Sequence, residues 1–275
     1  MLKINTSCNR LAPLKKYGQN FLTSPAIAQR IVDSADLTIE DTVLEIGPGK
    51  GVLTALMAER CQRVWAVEID PRWADKLSSG FYKNDKIRII NRDILQYDIS
   101  ELISDSSGRY KVVANLPYNI TVPILEKLLT ATCKPVSIVV MVQKEMADRV
   151  AAKPGNKDYG SLSLFMQYQA KTEKLFNVSP GSFFPRPKVT SSVIRLVPHS
   201  NPPLALNDED DFFSFIKICF SKRRKMLRSV LREQGKWPEK ILSNCPSIDL
   251  SRRAETLDLK EFYELYNHCK SGLKC

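Results

Sequence analysis

Histidine is almost missing from this chain of 275 residues: His199 and His268 are the only two, and neither sits in a cluster of ligand-type residues. That argues against a zinc or other transition-metal site, and no metal is expected. Cysteine is present but unorganised. Cys8, Cys61, Cys133, Cys219, Cys245, Cys269 and Cys275 form no CxxC pair and are odd in number, so they do not read as a disulfide framework. Free thiols fit a reducing cytosol. No apolar run approaches the roughly 20 residues that span a bilayer, and the polar, basic N-terminus has no apolar secretory core. Acidic residues are in deficit, 30 against 41 basic ones, for a net charge of +11. Such an excess suits a polyanionic partner such as nucleic acid, although a basic soluble protein with no such partner has the same composition.

What is present reads as a folded protein. Hydrophobic residues make up 43% and charged residues 26%, neither value pointing to disorder. The length suffices for one large domain and a smaller one. From Thr42 to about Val142 strand and helix patterns alternate. Strands are expected at 42–46, 63–68, 87–91, 110–114 and 136–142, with helices at 52–60, 72–79 and 122–130 between them. That alternation predicts an α/β fold whose mostly parallel sheet is covered on both faces. Pro180, Pro185 and Pro187 stiffen a loop over 179–188, and 191–197 reads as a late strand. The stretch His199-Ser-Asn-Pro-Pro-Leu is the expected boundary. It divides a first domain, 1–200, from a helical second domain, 201–275, with helical periodicity over 208–232 and 251–268.

The first expected strand ends in Glu45-Ile-Gly47-Pro-Gly49-Lys-Gly51. Glycines let the backbone turn sharply and approach a ligand, and the following helix starts with unpaired N–H groups. A GxGxG turn alone is also compatible with an ordinary strand-to-helix junction. Glu68 closes the second strand, where dinucleotide folds place a ribose-binding carboxylate. Asp93 follows the third, where an acid can accept from an adenine amino group or simply cap a turn. Together the three loops suggest an adenosine-bearing ligand. NAD would call for GxGxxG, so S-adenosylmethionine is the better fit.

Asn115-Leu116-Pro117-Tyr118 follows the fourth strand. Asparagine offers an acceptor and a donor, proline a rigid backbone nitrogen that cannot donate, and tyrosine a face for base stacking. Such a set can hold an aromatic amine. Acceptors on both N–H bonds favour a pyramidal nitrogen and free its lone pair for attack on a sulfonium methyl, which is catalysis by orientation.

These motifs resemble the ribosomal RNA small-subunit adenine N6-dimethyltransferase family, the KsgA type. Lys16-Tyr-Gly-Gln19-Asn20-Phe21-Leu22 is similar to that family's N-terminal cofactor lid, and Phe183-Phe-Pro-Arg-Pro-Lys-Val-Thr-Ser191 to its FxPxPKVxS loop. The resemblance runs through nearly the whole chain. It implies a Rossmann-like class I methyltransferase domain with a small α-helical C-terminal domain. The activity implied is N6-dimethylation of two adjacent adenosines in the 3′-terminal hairpin loop of small-subunit (16S) rRNA, with a part in small-subunit biogenesis. The resemblance further implies that Gln19, Asn20 and Leu22 close over S-adenosylmethionine, with Gly47 and Gly49 beside its methionine moiety. Glu68 would take the ribose, and Asp93 the adenine between Ile69 and Ile94. Asn115 would meet both cofactor and target amine, while Tyr118 and Phe183 stack on the target base. Without the family, Phe183 and Phe184 read as core aromatics. The implied enzyme is a cytoplasmic monomer that needs neither metal nor membrane, and its partner is small-subunit rRNA or the immature subunit.

No acid interrupts the stretch from Phe212 to Arg232, which carries Lys222, Arg223, Arg224, Lys225 and Arg228. These cations suit phosphates or a solvated helix face, and the resemblance favours rRNA. Met226 and Ser229 stand where the family commonly has Thr and Asn. Two alternatives remain: an assembly factor for which binding matters more than methylation, and a resistance-type methyltransferase of large-subunit rRNA.

Overall fold

The computed structural model describes residues 11–103, 109–243, 245–246 and 248–272; the polar N-terminal stretch, Cys8 and Cys275 lie outside them. Strands are β1 (Phe21–Leu22), β2 (Thr42–Ile46), β3 (Arg63–Glu68), β4 (Ile87–Asn91), β5 (Lys111–Asn115), β6 (Ser137–Gln143), β7 (Ala170–Val178), β8 (Phe183–Phe184) and β9 (Ser191–Pro198). Helices in the first half are α1 (Pro25–Asp33), α2 (Val52–Ala58), α3 (Pro71–Phe81), α4 (Ser100–Ile103) and α5 (Thr121–Thr130). Then come α6 (Lys144–Val150), α7 (Ser161–Gln169), α8 (Glu209–Cys219), α9 (Leu227–Glu233), α10 (Glu239–Ser243) and α11 (Leu259–Gly272). No described helix is long and apolar enough to cross a membrane.

Two compact units result. One comprises Met1–Ala147 with Glu173–Pro198, the other Asp148–Thr172 with His199–Cys275. The second unit takes Asp148–Thr172 from the middle of the chain as well as the residues that follow Pro198.

The first unit is built on a seven-stranded sheet in the order β4-β3-β2-β5-β6-β9-β7. Pairs β2–β3, β3–β4, β2–β5 and β5–β6 are parallel, and β6–β9 is antiparallel. All five residues of β2 are buried, as a central parallel strand covered on both faces requires. The chain runs outward from β2 to β3 and β4, then returns to β5 on the other side of β2. That reversal opens a crevice beyond the carboxyl ends of β2 and β5, where such sheets bind ligands. Caps aim the helices beside it: the Ser24 hydroxyl accepts from the Ile27 N–H at the start of α1, and the Asp70 carboxylate from the Arg72 N–H at the start of α3.

Helices and an aromatic core make the second unit. Tyr159, Tyr168, Phe212, Phe213, Phe215, Trp237, Phe262 and Tyr266 share one buried cluster. The helix expected over 208–232 is two helices, α8 and α9, separated by a turn. The first amides of α9 find partners outside the helix there, Leu227 N–H donating to Arg252 O and Arg228 N–H to Leu250 O. The last helix starts at Leu259 rather than Ser251 because Asp258 and Glu261 form a capping box. The Glu261 N–H donates to the Asp258 carboxylate at 2.8 Å, and the Asp258 N–H to the Glu261 carboxylate at 2.9 Å.

Candidate active site

A cleft of about 730 Å³, counted with its open mouth, lies at the carboxyl ends of β2, β3 and β5. It brings together Gln19, Asn20, Leu22, Gly47, Gly49, Glu68, Ile69, Asn115, Leu116, Pro117 and Tyr118. The glycine turn leaving β2 has positive φ at Gly47 and Gly49, 69° and 55°. A Cβ on Gly49 would stand 2.8 Å from the Phe21 ring, so both conformation and space demand glycine.

Glu68 ends β3 with only 4% of its surface exposed. One carboxylate oxygen accepts from the Gly49 N–H at 3.0 Å and the other from the Asp70 N–H at 2.9 Å. Burial nevertheless raises its pKa. Asp70 behaves oppositely. Its hydrogen bond from Arg72 pulls its pKa down, and it also accepts from Gln19 Nε2 at 3.0 Å. The Gln19 side chain in turn accepts from the Leu14 N–H at 2.8 Å, which ties the segment ahead of β1 to the start of α3.

The Asn115 side chain leaves the end of β5 and donates from Nδ2 to the Asn20 carbonyl at 2.9 Å. A carbonyl only accepts, so the amide orientation is settled and Oδ1 is left as the acceptor facing elsewhere. The Tyr118 hydroxyl lies 2.7 Å from Ser191 Oγ, and burial raises the phenol's pKa. That hydroxyl is an anchor for the ring.

Three expected residues lie elsewhere. The Asp93 carboxylate accepts from the Leu95 N–H at 2.9 Å and borders a second recess beside β4, with Arg88 and Tyr97. Ile94 is buried beside it and does not line the cleft. Phe183 is 4% exposed and packs in the core with Leu22 and Val193, whereas Phe184 is 58% exposed. Successive residues of a strand face opposite ways, so only one of the pair is the core aromatic.

Two cleft residues escaped the sequence reading of single positions. Glu45, 1% exposed, accepts from the Thr54 hydroxyl at 2.5 Å, and burial pushes its carboxyl up to about 8. An acid inside the otherwise apolar run Thr42–Ile46 was the available signal. Lys50 lines the cleft next to Gly49 and had none.

The expected RNA-binding cations, all in the helical unit, are not equivalent. Lys222 pairs with Glu233. The Arg223 guanidinium donates to the carbonyls of Lys157 at 2.6 Å and Tyr159 at 2.9 Å, and to Glu255 at 3.2 Å. Arg228 donates to Leu242 O at 3.2 Å. Arg224 and Lys225 are exposed on the turn between α8 and α9.

A family model described as ribosomal RNA adenine dimethylase matches residues 13–271. The chain belongs to the ribosomal RNA adenine dimethylase family. This dimethylase is 43% identical over 263 residues to ribosomal RNA small subunit methyltransferase A of Geobacillus thermodenitrificans, covering 92% of this chain and 89% of the relative. It is also 43% identical over 257 residues to the protein of that name from Geobacter metallireducens, covering 91% and 93%. Among solved structures, a dimethyladenosine transferase from Plasmodium falciparum superposes with a TM-score of 0.76 at 25% identity, over 89% of this chain and 95% of that one. The 23S rRNA methyltransferase ErmE superposes at 0.69 with 26% identity, over 91% and 100%. The dimethylase is therefore an rRNA-modifying enzyme with the class I fold, of the kind that depends on S-adenosylmethionine. Its cleft fits such a cofactor. Glycine backbone approaches from one side, a buried carboxylate stands at the end of β3, and the crevice lies at the point where strand order reverses.

Proposed function

We propose that this dimethylase methylates N6 of two adjacent adenosines in the 3′-terminal hairpin loop of small-subunit rRNA. Its partner is the immature small ribosomal subunit in the cytoplasm, and its action contributes to subunit biogenesis. The observation that carries the reading is the Asn115 amide, pinned by Asn20 so that its oxygen is free to accept from an amine in the Glu68 cleft.

S-adenosylmethionine, when bound, supplies an electrophilic sulfonium methyl. Gly47, Gly49 and Ile69 line its site, Glu68 accepts from the ribose hydroxyls, and Gln19, Asn20 and Leu22 border the entrance. The Asn115 oxygen accepts from one N–H of the adenine amine and holds its lone pair toward the methyl. Pro117 adds no N–H that would compete as a donor. The Tyr118 ring, anchored through Ser191, stacks on the base. Asp93 accepts from the adenine amino group beside Ile94; its Oδ1 already takes the Leu95 N–H, and a carboxylate has further lone pairs to offer. Exposed Arg224 and Lys225 contact phosphates.

The small-subunit assignment rests on relatives 43% identical over nine-tenths of the chain, against 26% for the 23S enzyme. Incubation with labelled S-adenosylmethionine and separated ribosomal subunits tests it. Label should map to two adjacent adenosines of the small subunit. Label on the large subunit would replace this reading with the resistance-type activity, and tight binding without label would replace it with an assembly factor.

A further inference from the structure

The loop 180–188 carries an aromatic side chain that the reaction described above does not use. Phe184 stands opposite Phe21 in the antiparallel pair β1–β8, while Phe183 stands opposite Leu22. Cross-strand partners share a face. Phe183 and Leu22 point into the core, so Phe184 points to the face of Phe21, which lines the cleft. Phe21 is itself buried and braced by Trp73 at 4.9 Å between ring centroids. The Lys50 ammonium lies between the two phenylalanines, 5.6 Å from the Phe21 ring and 5.9 Å from the Phe184 ring. Two further exposed cations, Arg186 and Lys188, follow on the same loop.

Exposure of a single large apolar side chain is common and carries no meaning alone. Here it comes with three cations, at the rim of the cleft, on a backbone stiffened by Pro180, Pro185 and Pro187. A stiff loop loses little freedom when a ligand settles on it. An exposed ring flanked by cations is the combination that binds unpaired nucleotides: the ring stacks on any base, and the ammonium and guanidinium groups meet the phosphates.

We propose that Phe184, with Lys50, Arg186 and Lys188, forms a stacking platform for the unpaired nucleotide flanking the adenosine under methylation. The proposal rests on the functional reading above and extends it from the reacting base to its neighbour. The platform holds the strand at the rim while the target base enters the cleft, so its contribution falls on RNA binding. Its tolerance of sequence also suits an enzyme that must shift by one nucleotide to reach a second adenosine.

The test uses full-length enzyme and small ribosomal subunits. With p-benzoylphenylalanine installed in place of Phe184, irradiation should cross-link the protein to a nucleotide beside a methylated adenosine. Phe184→Ala should raise KM for subunits about tenfold, within the range measured for loss of one base–aromatic stack, and Phe184→Tyr should restore it. Melting temperatures of both variants guard against misfolding, which an exposed position makes easy to satisfy. If the wild type methylates subunits but cross-links form only to ribosomal proteins or to a second copy of this chain, the platform is wrong. An unchanged KM in Phe184→Ala overturns it equally. A wild type that transfers no methyl to small subunits overturns the functional reading and the platform together.

Discussion

The two units handle charge in opposite ways. The sheet unit buries carboxylates: Glu45, Glu68 and Asp70 are nearly inaccessible, and the first two line the cleft. In the helical unit the buried polar side chains, among the described residues, are only Ser163 and Gln169, and the core is aromatic. Its charges lie outside, where several are engaged in holding turns together. Burying an acid costs free energy unless it is paired or protonated. A region that sets two buried acids into the wall of one crevice is organised for a ligand. A region with charge only at its surface is organised for stability and for long-range attraction to a polyanion.

Substitutions can break this contrast or sharpen it. The largest effect should come from Asn115→Ala, which removes the acceptor proposed for the amine. Single-turnover methylation at saturating cofactor should slow by about 100-fold or more, with RNA affinity little changed. Next, Glu68→Ala should weaken S-adenosylmethionine binding by about 10- to 100-fold, the scale of a lost charge-assisted hydrogen bond. Calorimetric titration checks it, and unchanged affinity would take Glu68 out of the cofactor site. The third effect is on stability. Glu45 titrates at about 8 in the folded protein against an ordinary value of 4.5. Between those values the folded chain holds a proton that the unfolded chain gives up, so this group's stabilisation falls as pH rises through the window and levels off above about 8. Glu45→Gln removes that titration. Its Tm relative to wild type should therefore be higher at pH 9 than at pH 5.

The smallest effects test the helical unit. Arg224→Ala should lower the salt dependence of subunit binding by roughly 0.7–0.9 in log–log slope and leave Tm alone. Arg223→Ala should do the reverse in emphasis, lowering Tm because two carbonyls and Glu255 lose their donor. Equal behaviour of the two variants would return the turn to an undivided basic patch.

Much of the sheet unit was legible because its cleft sits at strand ends. β2, β3 and β4 fall on their expected residues, and Glu45-Ile-Gly-Pro-Gly-Lys-Gly and Asn115-Leu-Pro-Tyr arrive where buried strands must stop. Phe183 and Phe184 were not separable by type, since two adjacent phenylalanines look alike until the pairing with Phe21 and Leu22 decides which face each takes. Asp93 was placed by its distance from the third strand, and distance along the chain does not say which way a turn aims its carboxylate. In the helical unit, periodicity over 208–232 concealed the break at 220–226, which depends on backbone partners at Leu250 and Arg252. Asp148–Thr172 joined that unit through packing of Tyr159, Leu164 and Tyr168, contacts that no local pattern announces.

The bond from Asn115 to Asn20 has a kinetic meaning. The amide proposed to orient the amine is held by the carbonyl of Asn20, which lines the same cleft. If spent cofactor leaves past Asn20, the displacement that lets it out breaks this bond and frees the Asn115 amide. Dimethylating two adenosines takes four transfers and therefore three exchanges between them. On the proposed reading, the reactive geometry would dissolve at each exchange and have to be rebuilt. Processivity, if the enzyme has it, must then come from grip on the RNA outside the amine's own contacts.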